Sequence, residues 1–155
     1  MKISLLYITT GKEPWAEEAE SIYFKKLKAF CDFELKPIKS SADSRARSEK
    51  KREKEADKLL EHIDPSTTLI LLDEKGKAFA DSRVYSQQLV KIIEMGRPIQ
   101  FVIGGAFGVS ERLKQRAQHT WTLSPLTFNH HLARVVFLEQ TYRALTIWKG
   151  IPYHN

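Results

Sequence analysis

Residues 101–113 read FVIGGAFGVSERL, an apolar run that leads into three glycines and then into the start of a helix. Loops of this kind between a strand and a helix bind nucleotides in many α/β proteins. The dinucleotide fingerprint needs the spacing G-x-G-x-x-G and an acidic residue about 20 positions further on. This loop has the spacing G-G-x-x-G, and Leu123, Ser124 and Pro125 stand near that offset. The segment therefore predicts a ligand loop in an α/β protein, but not one for a dinucleotide.

Apolar runs that predict β-strands alternate along the chain with segments that predict helices. The strands are expected over residues 3–8, 33–38, 67–72, 98–103 and 120–123. Pro14, Ser82 and Ser110 stand where the first, third and fourth helices begin. The third strand is continuous in apolar residues, which favours an interior place in a parallel sheet, and residues 73–77 predict a turn after it. The alternation predicts an α/β fold with a mostly parallel sheet flanked by helices.

The apolar residues of two predicted helices indicate which surfaces are buried in the core and which could be buried in a dimer. The first has a stripe that is expected to face the core, made of Trp15, Ala19, Ile22, Tyr23, Lys26 and Phe30. The last has apolar residues on more than one side, among them Val135, Val136, Phe137, Leu138, Leu145 and Trp148. Such a helix needs more cover than one neighbouring layer provides. We expect a homodimer through the last helix; the alternative is burial within its own protomer.

The charge pattern fits a polyanionic partner without requiring one. The formal net charge is +6, and residues 45–58, RARSEKKREKEADK, mix many basic residues with acidic ones. Mixed signs at helical spacing are typical of a solvated, salt-bridged helix face, and an RNA-contacting arm is the other interpretation. Ala56, Leu59, Leu60 and Ile63 follow at helical spacing, so we expect them to attach this helix to the core.

Length and composition exclude several classes of protein. The chain has 155 residues, 42% of them hydrophobic, which is typical of one globular domain, expected to span residues 1–155. No apolar run reaches the ~18 residues of a membrane span, and residues 3–8 are too short for a secretory signal. Cys31 is the sole cysteine, which excludes an intramolecular disulfide and a cysteine-rich zinc site. We expect a cytoplasmic protein without a metal or a membrane partner.

Three predicted loops leave the carboxyl ends of strands, where open α/β sheets bind their ligands. They cover residues 72–76, 104–108 and 123–131. Together they offer glycine backbone that a ligand can approach, and apolar walls from Leu72, Leu123 and Leu126. No lysine follows the glycines as in a P-loop. The loops predict a pocket for a flat heterocycle more than for a pyrophosphate, although each leucine taken singly is as consistent with core packing.

Four blocks of the sequence resemble one known family. They are LDEKGK (72–77), IGGAFGVS (103–110), LSPLTFNHHLAR (123–134) and EQTYRALTIWKGIPYH (139–154). In order and spacing they are similar to the bacterial ribosomal RNA large subunit methyltransferase H family of the SPOUT superfamily. Its members are small dimeric enzymes that use S-adenosylmethionine to methylate N3 of a pseudouridine in large-subunit (23S) ribosomal RNA. The resemblance implies this activity, a homodimer and a SPOUT-type α/β fold with a C-terminal trefoil knot, which pattern reasoning alone would reject.

The resemblance also implies a set of residues for the cofactor, S-adenosylmethionine. They are Leu72, Gly104, Leu123, Ser124, Pro125, Leu126, Thr127 and Phe128, and Gly105 stands beside them. Glycine at positions 104 and 105 lets the backbone approach the ligand. The leucines are expected to sandwich the adenine, and the backbone of residues 123–128 to read its edge.

For the chemistry, the resemblance favours the tail. Tyr153 and His154 are expected to help place the base, reaching across the dimer into the partner's pocket, and Pro152 is expected to end the last helix and let them project. His130 is a weaker candidate. The chain departs from the family in Asn129, where a proline is common, in His131, and in the lack of a basic residue after His154.

Two other functions remain open from the sequence. One is a non-catalytic basic RNA-binding dimer whose loops merely close the sheet. The other is a nucleotide-binding oxidoreductase built on the glycine loop. The missing ribose acid counts against the oxidoreductase, and the apolar loop over residues 123–128 counts against a pure binding module.

Overall fold

A computed structural model describes residues 1–9, 11–40 and 47–153. The strands are β1 (Lys2–Thr9), β2 (Asp32–Lys39), β3 (Thr68–Lys77), β4 (Ile99–Ile103) and β5 (His119–Trp121). The helices are α1 (Pro14–Lys28), α2 (Ser48–Glu61), α3 (Ser82–Ile93), α4 (Glu111–Arg116) and α5 (His130–Trp148). Every pairing in the five-stranded sheet is parallel, and the strand order is β2-β1-β4-β3-β5. The predicted α/β class and the interior place of the third strand are confirmed.

The sheet is buried on both faces because successive strand residues point to opposite sides. Leu5 and Phe101 belong to the apolar cluster under α1, α3 and α5, whereas Leu6 and Val102 belong to the cluster under α2 and α4. The predicted anchors of α2 also lie in or against the second cluster: Ala56, Leu59 and Ile63 are buried, and Leu60 packs against it. Residues 45 and 46 of the predicted charged helix lie outside the described residues.

The turn predicted over residues 73–77 is wrong in its extent, since β3 continues to Lys77. Trp121 of β5 is paired both with Leu72 and with Lys77, and the register is irregular between those two positions. A Cβ atom on Gly76 would overlap the backbone of Trp121. Glycine is therefore required here, because the strand returns to the sheet in direct contact with the β5 backbone.

Helix ends differ from the predicted ones in two places. Asp81, not Ser82, caps α3, since its Oδ1 accepts a hydrogen bond from the Val84 amide at 2.8 Å. Gly150, not Pro152, ends α5: it is left-handed, with φ +65, and the Ile151 amide donates to the Thr146 carbonyl at 2.9 Å. The predicted Ser110 start of α4 is confirmed, because its hydroxyl accepts from the Leu113 amide.

The stripe predicted to bury α1 is confirmed at Tyr23 and Phe30, which pack against the core, and is wrong at Trp15 and Ile22. The buried residues of α1 are Ala16, Glu20 and Leu27, whereas Trp15 and Ile22 are 48% and 49% exposed. The reason is an ion pair: the buried Arg134 guanidinium of α5 donates to the Glu20 carboxylate at 2.7 Å. A carboxylate therefore occupies a position that the pattern assigns to solvent.

The long helix α5 covers the sheet of its own chain. Phe137, Leu138 and Leu145 are fully buried in the cluster that it shares with α1 and α3. Leu132, by contrast, is 36% exposed. Much of the apolar surface of α5 is thus used within the chain, while α1 and α5 together leave several apolar side chains in contact with solvent. None of the described helices is both long and apolar enough to cross a membrane.

Candidate active site

A cleft of about 690 Å³ opens at the carboxyl ends of β3, β4 and β5. This volume is typical of a small-molecule site. The segment after Leu72, the loop between β4 and α4, and the loop between β5 and α5 form its walls. These are the three loops that the sequence predicts to converge.

The cleft brings together nearly all residues predicted to bind a cofactor. The lining includes Leu72, Gly104, Gly105, Leu123, Ser124, Leu126, Thr127 and Phe128. Pro125 lies in the same loop but does not line the cleft. The structure thus supports their proximity, and their binding of a cofactor stays a prediction.

The glycine loop approaches its neighbours too closely for side chains. A Cβ atom on Gly104 would lie 2.9 Å from Cγ2 of Val109, and one on Gly105 would overlap the Glu55 carboxylate. Gly108 is left-handed, with φ +83, and its amide donates to the Gly105 carbonyl at 3.2 Å. The loop therefore presents bare backbone to the cleft on one side and rests on Glu55 on the other.

Glu55 is a buried carboxyl beneath this loop. It is 3% exposed, and its Oε1 accepts a hydrogen bond from the Ser40 hydroxyl at 3.0 Å. Its Oε2 has no hydrogen-bond partner among the residues that the structure describes. Burial raises the pKa of this carboxyl, because the charged form loses its hydration.

Side-chain hydroxyls hold the loop between β5 and α5. The Thr122 hydroxyl donates to the Ser124 carbonyl at 2.7 Å, and the Leu126 amide donates to the Ser124 hydroxyl at 3.0 Å. The Thr127 hydroxyl donates to the Glu74 carboxylate at 2.8 Å and so joins two walls of the cleft. These bonds leave Leu126 72% exposed, an apolar side chain that a ligand in the cleft can cover.

His130 begins α5 at the edge of the cleft, where Asn129 caps the helix through a 2.9 Å bond from the Leu132 amide. The Nε2 atom of His130 is buried and lacks a partner in the described part of the chain. Burial lowers the pKa of His130, and His131 and Arg134 lower it further. The lowered pKa favours the neutral imidazole, the form that can accept a proton.

Tyr153 lies away from the cleft of its own protomer. Its hydroxyl donates to the Glu139 carboxylate at 3.2 Å, and its ring packs edge-on against Tyr142 at 4.8 Å. The Arg143 guanidinium lies 4.7 Å from the ring. Burial raises the pKa of Tyr153, with Tyr23 and Glu139 adding to the shift. The predicted role of Tyr153 in a partner's pocket stays a prediction, and His154 lies outside the described residues.

Sequence reasoning missed two charged residues of α2. Arg52 lines the cleft, and Glu55 lies behind the glycine loop. A signal was available, because Arg52 and Glu55 precede the buried Ala56 and Leu59 by four residues each and so share their face of the helix. When charged residues lie on the buried face of a helix, a functional site is a better interpretation than a solvated surface.

Comparison with known proteins places the chain in a family. The family model described as predicted SPOUT methyltransferase matches residues 1–154. The chain is 39% identical over 156 residues to ribosomal RNA large subunit methyltransferase H of Bdellovibrio bacteriovorus, covering 100% of this chain and 99% of that protein. It is 36% identical over 160 residues to the protein of that name from Desulfitobacterium hafniense, with the same coverage.

Among solved structures, a putative methylase family protein from Neisseria gonorrhoeae has the same fold, with a TM-score of 0.51 at 14% identity. The match covers 91% of this chain and 81% of that one. The family match over residues 1–154 identifies the chain as a SPOUT-class methyltransferase, and the cleft agrees with that class. Within that class, the chain belongs to the ribosomal RNA large subunit methyltransferase H family, which confirms the resemblance.

Proposed function

We propose that this protein is an S-adenosylmethionine-dependent methyltransferase that acts on large-subunit ribosomal RNA, at N3 of a pseudouridine. The observation that carries the proposal is the convergence of three loops on one cleft, in a chain that matches this family along its length. The net charge of +6 fits an RNA substrate. The assembled ribosome is the proposed substrate and the cytoplasm the proposed place of action.

The residues of the cleft fit the cofactor. Leu72, Leu123 and Leu126 offer apolar surface to an adenine ring, and Gly104 lets the backbone approach the ligand without a side chain between them. The cofactor supplies a methyl group already activated on a sulfonium. What the chain must do is bind the cofactor, hold the ring nitrogen in line with that methyl group, and remove the imide proton.

One experiment separates this function from its rivals. Calorimetric titration with S-adenosylhomocysteine and NAD, followed by radiolabelled methyl transfer to large subunits and to free ribosomal RNA, is expected to show binding of the first ligand and methylated ribosomal RNA. Binding of RNA without binding of S-adenosylhomocysteine would favour the non-catalytic RNA-binding dimer. Binding of NAD alone would favour the oxidoreductase.

We expect deletion of residues 153–155 to lower methyl transfer about a hundred-fold, the usual scale for loss of a positioned acid–base group. Affinity for S-adenosylhomocysteine should not change, because Tyr153 does not line the cleft. Loss of the Tyr153–Glu139 hydrogen bond should lower the free energy of unfolding by about 1 kcal/mol. The measurements are the methyl-transfer assay, calorimetry and denaturant unfolding, with His154→Ala showing part of the kinetic loss.

Full activity in the truncated enzyme would contradict this role of the tail and would leave His130 and His131 as the candidates for the base, of which His130 lines the cleft. Its lowered pKa then has a visible consequence, because the neutral form persists to lower pH. The acidic limb of the rate profile would lie below the ordinary histidine value of about 6.5, and His130→Asn would remove it.

We also propose that the whole chain is one methyltransferase domain with the trefoil knot of its family, and that two copies pair through α1 and α5. Trp15, Ile22 and Leu132 are exposed apolar side chains of these helices, which supports an interface there. Leu145→Asp cannot test it, because Leu145 is buried in its own protomer.

Ile22→Asp should therefore convert a dimer into monomers, since an unpaired charge in an interface costs several kcal/mol. Light scattering measures the change. Met95→Asp is the matched control, because Met95 is 67% exposed and lies outside these helices. A dimer that persists in Ile22→Asp would place the interface elsewhere.

A further inference from the structure

Arg52 carries a positive charge that no acidic residue neutralises within the described part of the chain. It lies in α2 and lines the cleft beside Gly104, Gly105 and Gly108. Its Nε atom is buried without a hydrogen-bond partner, and its guanidinium forms no ion pair within residues 1–9, 11–40 and 47–153. Arg52 as a whole is partly exposed, but a buried donor atom without a partner is costly. Its presence at a ligand cleft therefore indicates an acceptor supplied by the ligand.

Two acidic residues of α2 are paired with a cation other than Arg52. Glu53 and Asp57 hold Arg112 at 3.2 and 2.5 Å, on the side where α2 meets α4. Glu55 is bonded to the Ser40 hydroxyl. Within the described residues none of these carboxylates pairs with Arg52, which lines the cleft.

The charges on the cleft walls suit a zwitterion. Asp73, Glu74 and Lys75 line the cleft from β3, Lys114 lines it from α4, and Arg52 lines it from α2. S-adenosylmethionine ends in an amino acid, with one ammonium and one carboxylate. A guanidinium is the side chain best matched to a carboxylate, because its planar donors form two parallel hydrogen bonds.

We propose that Arg52 binds the α-carboxylate of the cofactor's amino-acid portion. This inference rests on the proposed function and adds to it a subsite for the end of the cofactor opposite the adenine. Burial of Nε favours this small ligand over a phosphate of the RNA backbone, which binds at the solvated surface. Lys54 of the same helix is exposed, as expected of a residue that binds a backbone phosphate.

The test compares two ligands and three variants by calorimetry. S-adenosylhomocysteine carries the carboxylate, and 5′-methylthioadenosine lacks the amino acid. Arg52→Gln is expected to weaken S-adenosylhomocysteine about 10- to 100-fold, the scale of a charge-assisted pair, and to leave 5′-methylthioadenosine within about two-fold. Arg52→Lys should lie between, and Lys54→Gln, the matched control, should bind both ligands as the wild type does.

Thermal melting tests whether Arg52 has only a structural role. Because Nε has no partner in the described chain, Arg52→Gln should keep the wild-type melting temperature in the absence of ligand. Equal loss of both ligands, or unchanged binding of S-adenosylhomocysteine, would overturn the inference. Unchanged ligand binding with weaker binding to ribosomal RNA would overturn it in favour of a phosphate contact. A wild-type protein that fails to bind S-adenosylhomocysteine would instead refute the proposed function itself.

Discussion

The Gly104→Val variant is expected to bind S-adenosylhomocysteine about a hundred-fold more weakly than the wild type, or not measurably. The first carbon of the new side chain would lie 2.9 Å from Cγ2 of Val109 and 3.4 Å from the Gly108 carbonyl oxygen, closer than packed atoms normally approach. Relief of that overlap is expected to displace the glycine loop, which lines the cleft. Calorimetry measures the affinity, and circular dichroism confirms the fold.

Gly11→Val is the matched control, because a Cβ atom at Gly11 meets nothing within 4 Å and Gly11 does not line the cleft. It should bind S-adenosylhomocysteine as the wild type does. A folded Gly104→Val protein with wild-type affinity would remove this loop from the cofactor site, whatever the function of the enzyme.

We expect Glu20→Ala to lower the free energy of unfolding by about 3–5 kcal/mol, the cost of leaving one partner of a buried ion pair alone. Arg134 is 4% exposed, and its Nε atom lies 2.7 Å from Oε1 of Glu20. The guanidinium also lies 4.5 Å from the Tyr7 ring and contacts Nδ1 of His131 at 3.0 Å. Denaturant unfolding measures the loss.

Two further variants test whether the loss of stability in Glu20→Ala comes from the broken ion pair. Glu18→Ala, an exposed position on the same helix, should change the free energy of unfolding by less than about 0.5 kcal/mol. The double variant Glu20→Met/Arg134→Met should be more stable than Glu20→Ala, because it leaves no unpaired charge. If Glu20→Ala were as stable as Glu18→Ala, the ion pair would not stabilise the packing of α1 on α5.

Local patterns were enough to predict the sheet and its helices. Strand residues 99–103 and 68–72 form apolar runs that are buried on both faces, so their position in the interior of the sheet follows from composition. The convergence of the three loops also follows, because parallel strands end at the same edge. Their assignment to S-adenosylmethionine rested on the family resemblance.

What the sequence did not show depends on contacts between distant residues. Glu20 and Arg134 are 114 positions apart, so nothing local indicates that a carboxylate belongs on the buried face of α1. The overlap of Gly105 with Glu55 likewise joins separate elements. Asp81 rather than Ser82 caps α3 because adjacent residues compete for that role, and the backbone path decides which of them caps.

The pairing of Trp121 with both Leu72 and Lys77 constrains how the cleft can change in width. The four residues between those positions are fixed at both ends, because Leu72 and Lys77 pair with the same residue. Gly76 also lies against the backbone of Trp121, with no room for even a Cβ atom between them. This side of the cleft is therefore expected to move little. A change in the width of the cleft is then expected to come mainly from the loops over residues 104–109 and 122–129, and loop movements of this kind limit product release in many enzymes.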